Sequence, residues 1–181
     1  MVNFLWENIF RKGAFEDQYL KLLRDNILFK DLSLKDLIFV KNIVHVRSYR
    51  TGESVFKQGE GGVGMYVIAK GSVDIHVNEN TTQGVERTFV TRLQVGDFFG
   101  EISLVEDNSR RTAEASAHQE ATLLGFFKPD LLEIMERNPD VGTKILWKLS
   151  QVLGRRLNET TVKITELKRQ IDFLKGQTNP P

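Results

Sequence analysis

The stretch GDFFGEISLVEDNSRRTAEA, residues 96–115, carries residue types whose order suits an anion. Gly96-Asp97 marks a turn, Phe98 and Phe99 read as core, and Gly100 lets the backbone approach a neighbour closely. Glu101 opens a short run that can wind a single helical turn. A polar loop and the pair Arg110-Arg111 follow. Free N–H groups at the start of such a turn, beside a fixed guanidinium, can hold a phosphate. A carboxylate at the same place repels that phosphate unless it has another task, such as accepting hydrogen bonds from sugar hydroxyls. Phosphate plus sugar points to a nucleotide. Taken alone, these residues leave open a loop with ordinary surface charge. Glu101 and Asp97 can also be drawn as an acid–base pair, but no activated nucleophile accompanies them, so no catalysis is expected.

The composition narrows the classes further. The chain has 181 residues, 40% hydrophobic and 27% charged, enough for a buried core. It has no cysteine, which excludes disulfides, a thiol nucleophile and Cys-ligated metal centres. His45, His76 and His118 lie far apart, so no metal site is expected. Lys+Arg is 25 and Asp+Glu is 24, a balance that does not drive nucleic-acid binding by field alone. No apolar run approaches the ~20 residues that span a bilayer. The opening MVNFLWENIFRKG is too short and polar for a signal peptide, so a cytoplasmic protein is expected.

The elements that must position the 96–115 stretch fall into three parts. Residues 1–28 suggest one or two amphipathic helices broken at Gly13. Residues 29–139 hold a helix capped by Ser33, then short β-branched and aromatic runs. These are VHVRSY, ESVFKQ, GMYVIAK, SVDIHVN, ERTFVTRL and ATLLGFF, separated by glycine turns. That pattern means a β barrel, roll or sandwich bracketed by helices: mainly β with flanking helices, α+β overall. PDLLEIMERN, residues 129–138, reads as a short helix with Pro129 in its first turn. Residues 140–177 form a long helix with 8 Lys/Arg against 4 Asp/Glu. Its Leu153, Leu157, Thr160, Ile164, Leu167, Ile171 and Leu174 alternate spacings of four and three, the seam of a two-stranded coiled coil.

Several segments together resemble the cyclic nucleotide-binding domain family. They are LFKDLSLKDL, YRTGESVFKQGEGGVGMYVIAKGSVDI, GDFFGEISL, the RRTA that follows, and PDLLEIMERNP, all in family order. The resemblance implies a jelly-roll-like β-roll. It implies that Glu101 holds a ribose 2′-hydroxyl and Arg111 the cyclic phosphate. Gly100, Ile102 and Ser103 would supply groups around the sugar-phosphate, and Thr112 and Ala113 would sit beside the arginine. The motif order Arg-Thr-Ala places Arg111 rather than Arg110 in the phosphate role. Ser109-Arg110 stands where the family often has proline. GRRLNETTVKITEL, residues 154–167, is similar to the dimer helix of the catabolite activator branch. That similarity implies that Thr160 and Thr161 touch the base, one from each subunit. The spacing alone equally allows a polar seam residue that sets register. Ile75 and Val90, on inward strand positions, form an apolar pocket wall or plain core.

The expectation is therefore a stand-alone cyclic nucleotide sensor, not an enzyme, with cyclic AMP favoured and cyclic GMP as the alternative. No resident cofactor is expected. Partners would be a homodimeric copy through the C-terminal helix and an effector protein. A dimerisation module with a non-binding pocket, or a transcription-associated regulator without its own DNA reader, are the competing readings. About seven residues follow Leu174, too few for a helix-turn-helix, so direct DNA binding is not expected. Residues 3–11 are amphipathic; packing on the roll or a partner is favoured over membrane contact.

Overall fold

The computed structural model describes residues 18–178 except residue 83. The expectations for Gly13 and for membrane contact by residues 3–11 lie outside the described residues.

Helix α1 covers 18–25 and is followed by a turn at 26–32. Asn26 is 4% exposed and stitches this turn to the roll: its Oδ1 accepts Leu28 N–H at 3.0 Å and its Nδ2 donates to Gly96 O at 3.2 Å. Helix α2 runs Leu34–Ile43. Ser33 caps it, its Oγ accepting the Asp36 N–H.

Eight strands follow: β1 His45–Tyr49, β2 Ser54–Phe56, β3 Gly64–Lys70, β4 Val73–Thr81, β5 Gly84–Leu93, β6 Phe98–Phe99, β7 Glu114–Ala117 and β8 Ala121–Phe127. They form two antiparallel sheets, ordered β1-β8-β3-β6 and β2-β7-β4-β5. The six runs expected as strands are strands. β7 was not foreseen, and β6 was foreseen only as core.

The sheet β1-β8-β3-β6 is covered on both faces, which is why GMYVIAK and ATLLGFF are nearly continuously apolar. Met65, Val67, Leu124 and Phe126 face the helices with Phe29, Leu37, Ile134 and Ile145. Tyr66, Ile68 and Leu123 face the second sheet with Val73, Phe99 and Ala115. The second sheet is covered on one face only. Val73 is buried, whereas Asp74 points outward, where Arg92 grips it through two hydrogen bonds of 2.6 and 3.1 Å. A bulge in the β4–β5 ladder between Ile75 and His76 breaks this alternation.

Helix α3 spans Lys128–Arg137 and α4 spans Pro139–Thr178. Asp130 accepts the Phe127 N–H at 2.7 Å and so caps α3. The first part of α4 belongs to the roll, because Val141, Ile145, Leu149 and Val152 are buried in the core under the helices. Leu153 is half-buried against the same core. The exposed apolar row begins at Leu157 and continues through Ile164, Leu167, Ile171 and Leu174. Among the described residues no helix is long and apolar enough to cross a membrane.

Phe29 is fully buried and meets Phe126 edge to face at 5.8 Å. Phe29→Ala should destabilise the protein by about 3–5 kcal/mol through lost transfer energy and a residual cavity. Urea denaturation followed by far-UV circular dichroism checks this.

Candidate functional site

The segment between β6 and β7 folds over the open end of the space between the sheets. Gly100 makes the turn out of β6 in the left-handed region, φ 78°. A Cβ there would lie 2.4 Å from Arg111 Nη1, so this position needs glycine on both backbone and contact grounds. Glu101–Leu104 then wind one 3-10 turn. The chain returns through Ser109, Arg110 and Arg111 and is held against the β2–β3 loop by backbone bonds. Gly62 N–H donates to Ser109 O at 2.8 Å, and Arg111 N–H to Glu60 O at 2.9 Å.

Arg111 lies at the bottom of this construction, 7% exposed. Its Nη1 donates to Gly100 O at 3.1 Å and to Ser103 Oγ at 3.2 Å. Ser103 Oγ is in turn 3.1 Å from Ser109 Oγ. The guanidinium carbon stands 4.0 Å from the Phe56 ring centroid, a cation–π contact. Its Nε is buried with no hydrogen-bond partner. Among the described residues no carboxylate lies within ion-pair distance of it. Burial holds its pKa below the ordinary arginine value, with Tyr66, Glu101 and Glu60 pulling the other way. Arginine titrates so far above neutrality that the group stays charged.

Glu101 is 5% exposed. Its Oε1 lies 2.6 Å from Nη1 of Arg156 on α4. Arg156 also donates to Phe98 O at 3.4 Å and covers the Phe98 ring at 4.8 Å. Arg156 and Phe56 were not among the residues expected at the site. The spacing did hold a signal for Arg156: it precedes Thr160 by four residues and so shares its helix face.

These groups enclose a pocket of about 330 Å³. Gly100, Glu101, Ile102, Ser103, Arg111, Thr112 and Ala113 all line it. Ile75 lines it from β4, joined by Thr91 and Leu93 from β5 and by Phe98 and Phe99. Val90 does not. The bulge opposite Ile75 and His76 displaces it from the inward register, and it is 54% exposed. Arg110 touches the rim, but it is exposed and its Nη1 is held by Gly59 O at 2.9 Å. Thr160 and Thr161 are outside the pocket of the single chain. Their hydroxyls donate to the carbonyls of Arg156 and Leu157, 2.8 and 2.9 Å away. Outside the pocket, Lys128 at the start of α3 pairs with Asp107 in the 105–110 loop. Lys128 lowers the Asp107 carboxyl below the usual range.

The three histidines are dispersed. His45 faces Asp130, His76 faces Arg87 and His118 faces Asp74. Among the described residues no group of three or more metal-ligating side chains gathers.

The geometry brings a buried guanidinium, Arg111, and a buried carboxylate, Glu101, to one pocket. The sequence matches the cyclic nucleotide-binding domain over residues 46–138, just over half of the chain. It is 31% identical over 142 residues to the cyclic AMP receptor protein of Thermus thermophilus, covering 78% of this chain and 62% of that protein. It is 30% identical over 142 residues to the cAMP-dependent protein kinase regulatory subunit of Mycosarcoma maydis, covering 78% of this chain and 25% of that one. The fold superposes on the Thermus thermophilus catabolite activator protein with a TM-score of 0.69 at 29% identity, over 79% of this chain and 63% of that chain. A cyclic nucleotide-binding domain from Methylobacillus flagellatus shares the fold, with a TM-score of 0.70 at 20% identity over 84% of each chain. The chain belongs to the cyclic nucleotide-binding domain family, whose domain is regulatory rather than catalytic. It spans less than two thirds of the receptor and a quarter of the kinase subunit.

Gly100→Ala tests the construction without removing a polar group. A left-handed non-glycine residue costs about 1–2 kcal/mol, and here its methyl also pushes on Arg111. Thermal melting should show the lower stability, and the crystal structure of the variant should show Arg111 displaced from Ser103.

Proposed function

We propose that the pocket binds a cyclic nucleotide, cyclic AMP in preference to cyclic GMP, and that the bound state is passed through α3 and α4 to a protein partner. One observation carries the reading. Among the described residues Arg111 is a buried cation with no partner for its Nε and no carboxylate within ion-pair distance, facing a pocket that also holds Glu101. A cyclic phosphate supplies the missing charge and acceptor. A ribose 2′-hydroxyl donates to Glu101, and the base lies toward Ile75 and Leu93. The preference for cyclic AMP is supported by the named ligand of two relatives and by Thr160 and Thr161, which offer hydroxyls to a base once a second chain is present. Thr112 keeps cyclic GMP as the competitor.

Ligand can act only through a difference in affinity between two arrangements. Glu101 is the group that both ligand and α4 want, since Arg156 already holds it. A sugar hydroxyl on Glu101 loosens or redirects Arg156, and with it the helix. A second line runs from the cassette loop through Asp107 and Lys128 to the start of α3. The site of action is taken to be the cytoplasm.

Calorimetric titration with both nucleotides tests the reading. Arg111→Ala should lose about 2–5 kcal/mol of binding, as for other truncated buried charge pairs, while Arg110→Ala changes little. Equal losses would sink the assignment of the phosphate ligand. Cyclic AMP should bind at least tenfold tighter than cyclic GMP, about 1.4 kcal/mol. The reverse preference would hand base selection to Thr112.

The exposed row from Leu157 to Leu174 supports a parallel homodimer through the outer part of α4. Ile164→Asp puts a charge in that seam and should give monomers in sedimentation equilibrium. A wild-type monomer at tens of micromolar would defeat the dimer.

A further inference from the structure

A second, separate concavity lies between the 26–32 turn and the roll-bound part of α4. It has a volume of about 260 Å³ and is lined by Ile27, Lys30, Lys148, Gln151, Val152 and Arg155. Lys144, Lys148, Gln151 and Arg155 follow one another at spacings of four, three and four, so they share one face of α4. Lys30 approaches from the turn. The carboxylate among these cations is Asp31, 2.7 Å from Lys148 Nζ. The Lys148 hydrogen bond, helped by the charges of Lys30 and Lys144, holds the Asp31 carboxyl below its usual range. Among the described residues Lys30, Lys144 and Arg155 have no ion-pair partner. The groove is thus lined by three cations, Lys30, Lys148 and Arg155, with Lys144 on the same helix face and Asp31 as the acid paired to Lys148, in a chain whose net charge is only +1.

We propose that this groove binds an acidic segment of a protein partner. Carboxylates of the partner meet Lys30, Lys144 and Arg155, and an apolar side chain between them rests on Ile27 and Val152. Charge complementarity selects the occupant. A peptide also suits the groove better than a nucleic acid does. A nucleic-acid footprint needs a long single-sign array of roughly 6–10 phosphate contacts. Here the positive face stops: beyond Arg156 the helix mixes Glu159, Lys163, Glu166, Lys168 and Asp172. The groove goes beyond the nucleotide reading and needs no nucleotide to exist. It also sits where a partner would sense α4, since Arg155 is the immediate neighbour of the Arg156 that holds Glu101.

The test uses the nucleotide-free protein and two labelled short peptides, one alternating glutamate with leucine and one with glutamine in place of glutamate. Fluorescence anisotropy should show the acidic peptide binding at least about tenfold tighter, with the difference shrinking as ionic strength rises from roughly 0.05 to 0.3 M. Lys30→Glu with Arg155→Glu should cost at least about tenfold, at an unchanged melting temperature. Lys163→Glu with Lys168→Glu, the same charge change further along α4, should cost less than about twofold. Equal affinity for the two peptides, no binding of the acidic one, or equal losses from the two variants would overturn the proposal. So would a single-stranded oligonucleotide that binds as tightly and is lost through the same Lys30 and Arg155 changes, which would make the groove a nucleic-acid site.

Discussion

Arg111 is taken out of water with no carboxylate of the described residues within ion-pair distance. A buried charge is costly unless paired and hydrogen-bonded, and here the pairing is partial: one carbonyl, one hydroxyl and one aromatic face. Much of the surrounding structure makes that arrangement tolerable. Gly100 turns left-handed so that its carbonyl can accept from Nη1, and Gly62 leaves room for Ser103, since a Cβ there would lie 2.0 Å from Ser103 Oγ. The β2–β3 loop holds the returning segment by backbone bonds and by the Arg110 side chain on Gly59 O. The outcome is a buried cation whose Nε has no hydrogen-bond partner among the described residues.

The opposite wall carries the opposite problem, solved differently. Glu101 is as buried as Arg111, yet its partner comes from another element, 55 residues further along the chain. Arg156 lies on the part of α4 that leaves the core, so its side chain can stay or go without unpacking the roll. One ionic group is therefore fixed by the cassette itself, and the other is shared between cassette and helix. That asymmetry ties the carboxylate of the pocket, but not its guanidinium, to the position of a long helix.

The gathering of the cassette residues at one pocket was legible because it is local. Glu101, Arg111 and the residues around them fall within one continuous stretch, and the glycines that shape it are unambiguous. The β-roll was legible from alternation and turn residues, and the two-sided burial of β3 and β8 from their unbroken apolar runs. What escaped was what depends on distance in sequence or on irregularity. β7, built from Glu114, Ala115, Ser116 and Ala117, has no β-branched residue to announce a strand. Val90 was placed inward by an alternation that the bulge at Ile75 and His76 interrupts. Leu153 fits the heptad spacing as well as Leu157 does, because a helix packs on its own domain with the same period it uses for a partner. Arg156 could not be assigned to Glu101 by any spacing rule, since that contact exists only once α4 is laid across the pocket.

Helix α4 is continuous across the boundary between core and solvent. Its first fifteen residues, 139–153, are clamped by Ile145, Leu149 and Val152, while residues 154–175 are exposed. From Leu153 to Thr178 the helix extends about 38 Å at 1.5 Å per residue, so a tilt of about 10° at the clamp carries its far end ~7 Å. The molecule is thus built as a lever. Arg156 sits just outside the fulcrum, where a sub-ångström adjustment around Glu101 is multiplied along the arm. By that geometry the displacement from any tilt at the clamp is several times larger at the tip than at Arg156.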